Sequence, residues 1–319
     1  MTYRMIHFTK VSCFVGDKMK ILFISLGCDK NLVDSEHMIG LLEKAGYEFT
    51  SDETEADIII INSCSFIKDA KEESIETIFN MARMKEEGNC KALVLAGCLA
   101  QRYHEEIKDE IPEIDIVVGY HESSTYDTVK KVAEGEVNIG IIRFLASEKQ
   151  YIKNINLLAG TKAPRGNAGT DRYAYLKIAE GCDKHCTYCI IPKIRGDYRS
   201  VPMEDLIAEA KDLAKSGIRE LILVAQETTM YGKDIYGEKR LHILLKELCK
   251  IEDIEWIRVL YCYPEEIYDE LIHTIASEDK ICNYLDIPIQ HASDNVLKRM
   301  GRRTTNQELR DVIAKLRKE

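Results

Sequence analysis

The sequence is poor in residues that stiffen or interrupt a chain: six prolines and one tryptophan in 319 residues, with aromatic side chains only 8% of the total. So little proline leaves room for uninterrupted helices and for central strands, since proline removes a backbone donor from both. No apolar run approaches the roughly 20 residues that a membrane-spanning helix needs. The first 20 residues also lack the long apolar stretch and small-residue cleavage site of a secretory signal, so the expected location is the cytoplasm. Positive charge is short too: 44 Lys and Arg against 54 Asp and Glu leave a net charge of -10. Such a surface repels a nucleic-acid backbone and suits a basic protein partner, so neither strong nucleic-acid binding nor a membrane partner is expected.

Cysteine is what the chain has in quantity. Eleven is an odd number for a chain expected in a reducing compartment, which points away from disulfides and toward metal or redox chemistry. Six of the eleven are organised. Cys13, Cys90, Cys249, Cys262 and Cys282 have no ligand-like spacing and read as small hydrophobes.

Four β-branched runs open the chain: KILFISLGC (20–28), ADIIIINSC (56–64), KALVLAGC (91–98) and IDIVVG (114–119). They alternate with amphipathic segments such as SEHMIGLLEKAGY, which predicts βα units and an open, Rossmann-like parallel sheet. Three of the runs end in Cys28, Cys64 and Cys98, spaced 36 and then 34 residues apart. Parallel strands point one way, so the loops that follow them gather at the carboxyl edge, where ligands bind. Periodicity alone leaves two readings open: a metal cluster, or three unrelated cysteines ending apolar strands.

Residues 146–172 change character to Gly, Pro, Thr and Asn and read as a linker between a domain over 19–145 and another over 173–319. The second series has strands expected near 173–182, 219–226, 255–261 and 283–290, and helices near 203–216, 241–251, 265–277 and 305–318. Four βα units make half a barrel, and an open edge after the fourth strand leaves backbone groups unpaired. The series is therefore expected to be cut short. At its first strand end lies EGCDKHCTYC (180–189), with Cys182, Cys186 and Cys189 in one loop. A structural zinc site takes four protein ligands. Three thiolates on a four-iron cubane instead leave one iron open to a small ligand. His185 adjoins Cys186 too closely to share its metal and is expected in solvent.

EGCDKHCTYC resembles the cluster loop of the radical S-adenosylmethionine (SAM) enzymes. SLGCDKNLVDSE, INSCSFIKDAKEES, AGCLAQRY, AQETTMYG, YCYP and YLDIPIQHAS extend the likeness to the radical SAM methylthiotransferases over about residues 20 to 303. The branch that modifies ribosomal protein S12 is the better match. The tRNA-modifying branch carries Gln-Met-Asn after its first cysteine, where this chain has Asp29, Lys30 and Asn31.

The resemblance implies an amino-terminal Rossmann-like sheet followed by a partial (β/α) barrel. It implies two 4Fe-4S clusters, one on Cys28, Cys64 and Cys98 and one on Cys182, Cys186 and Cys189. SAM contacts carry over to Tyr188 at the adenine, Gln226 and Glu227 at the amino group, and Gln290 with His291 at the ribose. One SAM methylates sulfur at the first cluster; a second yields the radical that takes hydrogen from the β-carbon of an aspartate. S12, an electron donor and a sulfur source are the implied partners. A tRNA adenosine substrate and an inactive iron-sulfur fragment are the alternatives. Two further barrel strands and a TRAM domain, usual in the family, are absent, so the polypeptide is expected to be unstable or inactive alone. Residues 1–18 precede the match and are expected to be a disordered extension, with Met19 the expected start. Arg195, Arg199, Arg302 and Arg303 either steer an acidic group or stay in solvent, the latter being expected of any single one, and Pro264 and Pro288 are expected to rigidify loops.

Overall fold

Isoleucine-rich strands organise the first half of the protein. In this computed structural model the described residues are 19–44, 47–119 and 172–319. The expected extension over 1–18, and all but the last residue of the expected linker over 146–172, lie outside them. The described residues belong to two compact units, one containing 19–119 and the other 172–319. Among the described residues no helix is long and apolar enough to cross a membrane.

The first unit is a parallel five-stranded sheet in the order β2-β1-β3-β4-β5. Its strands are β1 (Lys20–Ser25), β2 (Glu48–Phe49), β3 (Ile58–Ser63), β4 (Ala92–Ala96) and β5 (Ile116–Val118). The central β3 is buried along its whole length, as a two-faced parallel strand must be. Helix α1 (Asp29–Lys44) packs Ile39 and Leu42 on one face, against Ile21, Phe23, Ile58 and Ile60. Helix α2 (Lys68–Ala82) packs Ile78 and Met81 on the other, against Leu22, Ile24, Ile59 and Ile61. Full burial of each such side chain contributes about 1.5–3 kcal/mol. The sheet is thus doubly wound, and this strand order switches direction between β1 and β3.

Three short helices, α3 (Met84–Glu87), α4 (Gly97–Arg102) and α5 (His104–Glu110), complete the described part of the first unit. The expected strands are all present. The short edge strand β2 was not foreseen, and α1 starts at Asp29, directly after Cys28, earlier than its apolar pattern indicated.

The second unit is a four-stranded parallel sheet in the order β11-β10-β9-β6. Its strands are β6 (Tyr173–Lys177), β9 (Glu220–Val224), β10 (Trp256–Val259) and β11 (Ile281–Leu285), with a small antiparallel pair, β7 (Ala179–Glu180) and β8 (Arg199–Ser200). Ala174, Leu176, Leu221, Leu223, Ile257 and Val259 alternate onto the buried face. There they meet α7 (Met203–Lys215), α9 (Leu241–Cys249) and α10 (Asp269–Ser277). The opposite face is wetter, with Glu220 paired to Arg258 at 2.8 Å and Arg258 over the Tyr284 ring at 5.5 Å.

Helices α6 (Ile191–Arg195), α8 (Lys233–Tyr236), α11 (Asp294–Arg299) and α12 (Asn306–Lys318) complete the second unit. The fourth strand lies over 281–285, where 283–290 was expected. Beyond Leu285 the chain turns out of the sheet, with tight turns at Ile289 and His291 and a left-handed Gln290 at φ 64°.

Asp57 ties three strand starts together in the first unit. Its Oδ2 accepts from the Lys20 backbone N–H at 2.9 Å, and its Oδ1 lies 2.8 Å from Lys91 Nζ. Burial works against its charge, but Lys91 and the Lys20 N–H outweigh burial and hold the carboxyl below its ordinary value. A depressed folded pKa contributes stability that is present above the ordinary carboxylate range and is lost as pH falls through the depressed value. Asp57→Asn should therefore cost about 1 kcal/mol at neutral pH and flatten the acid limb of stability against pH, as measured by urea unfolding from pH 7 to pH 3.

Candidate metal and cofactor centres

In the first unit the switch point falls between the strand ends that carry Cys28 and Cys64. Register pairs Ser25 with Asn62, and an isolated bridge pairs Ser63 with Gly97. Cys28, Cys64 and Cys98 thus follow three neighbouring strand ends. Two asparagines knit these loops together. Asn31 Nδ2 donates to the Leu26 and Ser63 carbonyls at 2.9 and 3.0 Å, and Asn62 Nδ2 donates to the Asn31 carbonyl at 3.0 Å. Cys98 Sγ lies 3.9 Å from Asn31 Oδ1, and the Cys64 N–H donates to Ser74 Oγ at 3.1 Å. Cys64 and Cys98 are buried, whereas Cys28 is exposed.

Glycine makes the approach possible. Gly27 sits at φ +90°, and a Cβ there would lie 2.9 Å from Cys64 Sγ. Gly97 sits at φ +88°, and its Cβ would strike Asn62 Oδ1 and stand 2.5 Å from the Ser63 carbonyl oxygen.

In the second unit the three-cysteine loop follows β7. The Cys182 N–H donates to the Gly196 carbonyl at 3.1 Å, the Lys184 N–H to Cys182 Sγ at 3.4 Å, and the Cys189 N–H to the Cys186 carbonyl at 3.0 Å. Burial pushes the Cys182 thiol up to about 11, helped by the charges of Glu227 and of the other two cysteines; burial likewise raises Cys189. Thiols in this state ionise readily only with a cation present, and a metal centre supplies one. A second segment braces the loop from outside: the Thr187 N–H donates to the Met300 carbonyl at 3.0 Å and its hydroxyl to the Arg299 carbonyl at 3.1 Å.

Around this loop are buried polar atoms with no partner: Gln226 Oε1, Glu227 Oε2, Arg302 Nε and Arg302 Nη1. Gln226 Nε2 donates to Glu180 Oε1 at 2.7 Å, and Glu180 is held by Lys177 at 2.8 Å and Arg195 at 3.2 Å. Burial opposes the Glu180 charge, yet the two cations keep its carboxyl well below the usual range. Glu227 accepts from the Thr229 N–H at 3.0 Å and from the Thr229 hydroxyl; burial pushes its pKa up to about 7. Arg302 Nη2 donates to Glu265 Oε2 and the Pro288 carbonyl, each at 3.1 Å.

Orphan polar atoms of both signs near a loop of three thiols fit an iron-sulfur cluster with a zwitterionic ligand. Unpartnered buried donors and acceptors are costly unless something fills the space between them. Among the described residues no group of three or more His, Cys, Asp or Glu side chains could hold a single metal ion as it stands. A four-iron body spreads its ligands more widely than one ion does.

Of the other positions named from the sequence, Tyr188 is half-exposed and Gln290 is exposed, while His185 is in solvent as expected. Arg302 and Arg195 are corrections. They were expected in solvent but are 6% and 2% exposed, Arg302 being paired to the part-buried Glu265 and Arg195 to the buried Glu180. The sequence reading missed Glu180, Lys177, Asn62 and Tyr263 altogether. Tyr263 Oη lies 3.8 Å from Cys186 Sγ, whereas in YCYP only Cys262 and Pro264 were singled out from the sequence. None of the ten cysteines among the described residues is in a disulfide; Cys90 and Cys262 are buried as packing residues.

Residues 20–119 match the model of the uncharacterized protein family UPF0004, and residues 176–319 that of the radical SAM superfamily. A ribosomal protein uS12 methylthiotransferase RimO of Lachnoclostridium phytofermentans is 60% identical over 94% of this chain and 66% of its own length. Proteins of that name from Clostridium perfringens and Acetivibrio thermocellus are 52% and 53% identical, over 94% and 95% of this chain and 65% and 66% of their own lengths. The chain spans about two thirds of the length of these curated relatives. Among solved structures, the radical SAM methyltransferase TsrM of Kitasatospora setae superposes with a TM-score of 0.57 at 13% identity, covering 95% of this chain and 66% of its own. The cobalamin-dependent radical SAM enzyme OxsB gives 0.56 at 12% identity, covering 93% and 47%. These two likenesses show the fold.

The second unit is a radical SAM domain. With UPF0004 ahead of it and relatives at 52–60% identity along both units, the chain belongs to the radical SAM methylthiotransferase family. That superfamily implies a 4Fe-4S cluster and SAM.

Gly97→Ala should destabilise the first unit by about 3 kcal/mol, combining a left-handed backbone with overpacking against Asn62 and Ser63. Chemical denaturation checks this, and the same change at Gly217, where a Cβ meets nothing, should cost less.

Proposed function

We propose that this protein is a methylthiotransferase that adds sulfur and a methyl group to the β-carbon of an aspartate in ribosomal protein uS12. The observation that carries the reading is the doubled set of three thiols, each at the carboxyl edge of its own parallel sheet and one short of the four ligands of a closed iron-sulfur site. Relatives named for that activity support the substrate, and a net charge of -10 suits a basic ribosomal protein. A cytoplasmic location follows from a ribosomal substrate. An electron donor and a sulfur source complete the partners.

Cys28, Cys64 and Cys98 would hold one 4Fe-4S cluster, and Cys182, Cys186 and Cys189 the other. When bound, the clusters and SAM supply a sulfur-carrying site and a carbon-centred radical. The remaining work falls to the chain's own side chains. Gln226 Oε1 and Glu227 Oε2 are free acceptors suited to an ammonium group. Glu180, anchored by Lys177 and Arg195, fixes the Gln226 amide so that its oxygen points away from the anchor. Arg302 offers two free N–H donors to a carboxylate, the pairing at which a guanidinium excels. Tyr188, half-exposed, would offer its ring to the adenine, and Gln290, in the segment beyond β11, would serve the ribose.

Two measurements test this reading. Arg302→Gln should weaken SAM binding about 10- to 100-fold by calorimetry on reconstituted protein, since a charged hydrogen-bonding pair is lost. Decarboxylated SAM should bind the variant and the wild type alike. Incubated anaerobically with reductant, sulfide and SAM, the protein should add one sulfur and one methyl group to uS12, read by mass spectrometry. Modification of tRNA instead of uS12 would overturn the substrate assignment.

A further inference from the structure

One tyrosine beside the second set of thiols, Tyr263, is a residue that the family reading leaves without a role. Tyr263 leaves the sheet after β10 and enters a short 3-10 turn, Pro264–Glu266. Its approach is built from several sides. Tyr261, two residues earlier, is held at φ 60°, a left-handed conformation rarely kept by a tyrosine without a structural reason. Cys262 is fully buried, with its N–H donating to the Asp286 carbonyl at 2.8 Å, so the backbone just before Tyr263 is fixed. Pro264 restricts the backbone just after it.

The hydroxyl then lies 3.8 Å from Cys186 Sγ, within hydrogen-bond range for sulfur. Two cations flank the ring: the Arg302 guanidinium at 4.2 Å and Lys184 Nζ at 5.5 Å from its centroid. Both are tied to the same turn, Arg302 to Glu265 at 3.1 Å and Lys184 to Glu266. Lys184 belongs to the cysteine loop itself, so the turn, the loop and the ring are held as one piece.

We propose that Tyr263 is a positioning residue for the second unit's cluster, whose hydroxyl donates a hydrogen bond to the Cys186 thiolate and makes that cluster easier to reduce. The inference rests on the reading that Cys182, Cys186 and Cys189 hold a 4Fe-4S cluster. A metal-bound thiolate has no proton, so the phenol must be the donor. Hydrogen bonds to cluster sulfurs withdraw charge from them and favour the reduced state, which carries one more electron. Cations over the ring face draw density from the phenol and strengthen it as a donor. No atom is transferred; the effect is on the reduction potential alone.

The test is a redox titration of the reconstituted protein, following the part of the reduced-cluster EPR signal that SAM perturbs. Tyr263→Phe should keep its iron and sulfide and shift the midpoint to a lower potential. Replacing Tyr263 with 3-fluorotyrosine, which keeps ring and hydroxyl but makes a stronger donor, should shift it the other way. An unchanged midpoint in both, with iron complete, overturns the proposal and leaves Tyr263 a packing residue. Equal shifts of the same sign in both overturn it as well, because only shape was then disturbed. A wild-type protein whose three-cysteine loop takes up no iron overturns the proposed function itself, an outcome distinct from either of these.

Discussion

Thiols bind iron as thiolates, and thiolates are disfavoured wherever a protein is dry. Burial pushes Cys182 up to about 11 here, so the chain has to bring its thiols together without sealing them in an apolar core. The carboxyl edge of a parallel sheet resolves this conflict. Strand interiors such as Ile58–Ile61 make the core, while the residues just past the strand ends stand in loops or, for Cys98, in the first turn of α4, with polar groups such as Asn31 and Asn62 among them. Both units use that edge, with different chain economy. The first collects one cysteine from each of three neighbouring strand ends, and the second takes all three from one loop.

The two arrangements depend on different supports. In the first unit the thiols are distant in sequence, and their placement after neighbouring strand ends relies on strand register, on left-handed glycines at Gly27 and Gly97, and on the Asn31 and Asn62 amides. In the second the thiols are local, but the loop has to be braced from outside. Arg299 and Met300 hold Thr187, Glu266 holds Lys184, and the Glu180 carboxylate under the loop is clamped between Lys177 and Arg195. Left-handed backbone occurs at Tyr261 and Gln290, in the segments that follow β10 and β11.

This difference explains what could be read from the sequence. Alternating β-branched runs and amphipathic segments gave every strand of both sheets except β2, whose two residues carry no periodic signal. The cysteine spacings drew attention to all six thiols because they repeat with the βα period or crowd one loop. The supports were invisible for a physical reason. Arg302, Glu180 and Tyr263 act through partners 37, 15 and 77 residues away, and one residue in isolation reads as an ordinary exposed charge or a packing ring. The fourth strand was placed too late because DIPIQ keeps the composition of a strand while Gln290 breaks its geometry.

The most direct measurement is iron and acid-labile sulfide per chain after anaerobic reconstitution, for the intact sequence and for a Cys182/Cys186/Cys189→Ala variant. About eight irons falling to about four is the result expected for two independent cubanes. About four falling to none would contradict it: Cys28, Cys64 and Cys98 would then hold no cluster, and the sulfur-inserting chemistry proposed for the first unit would have no site.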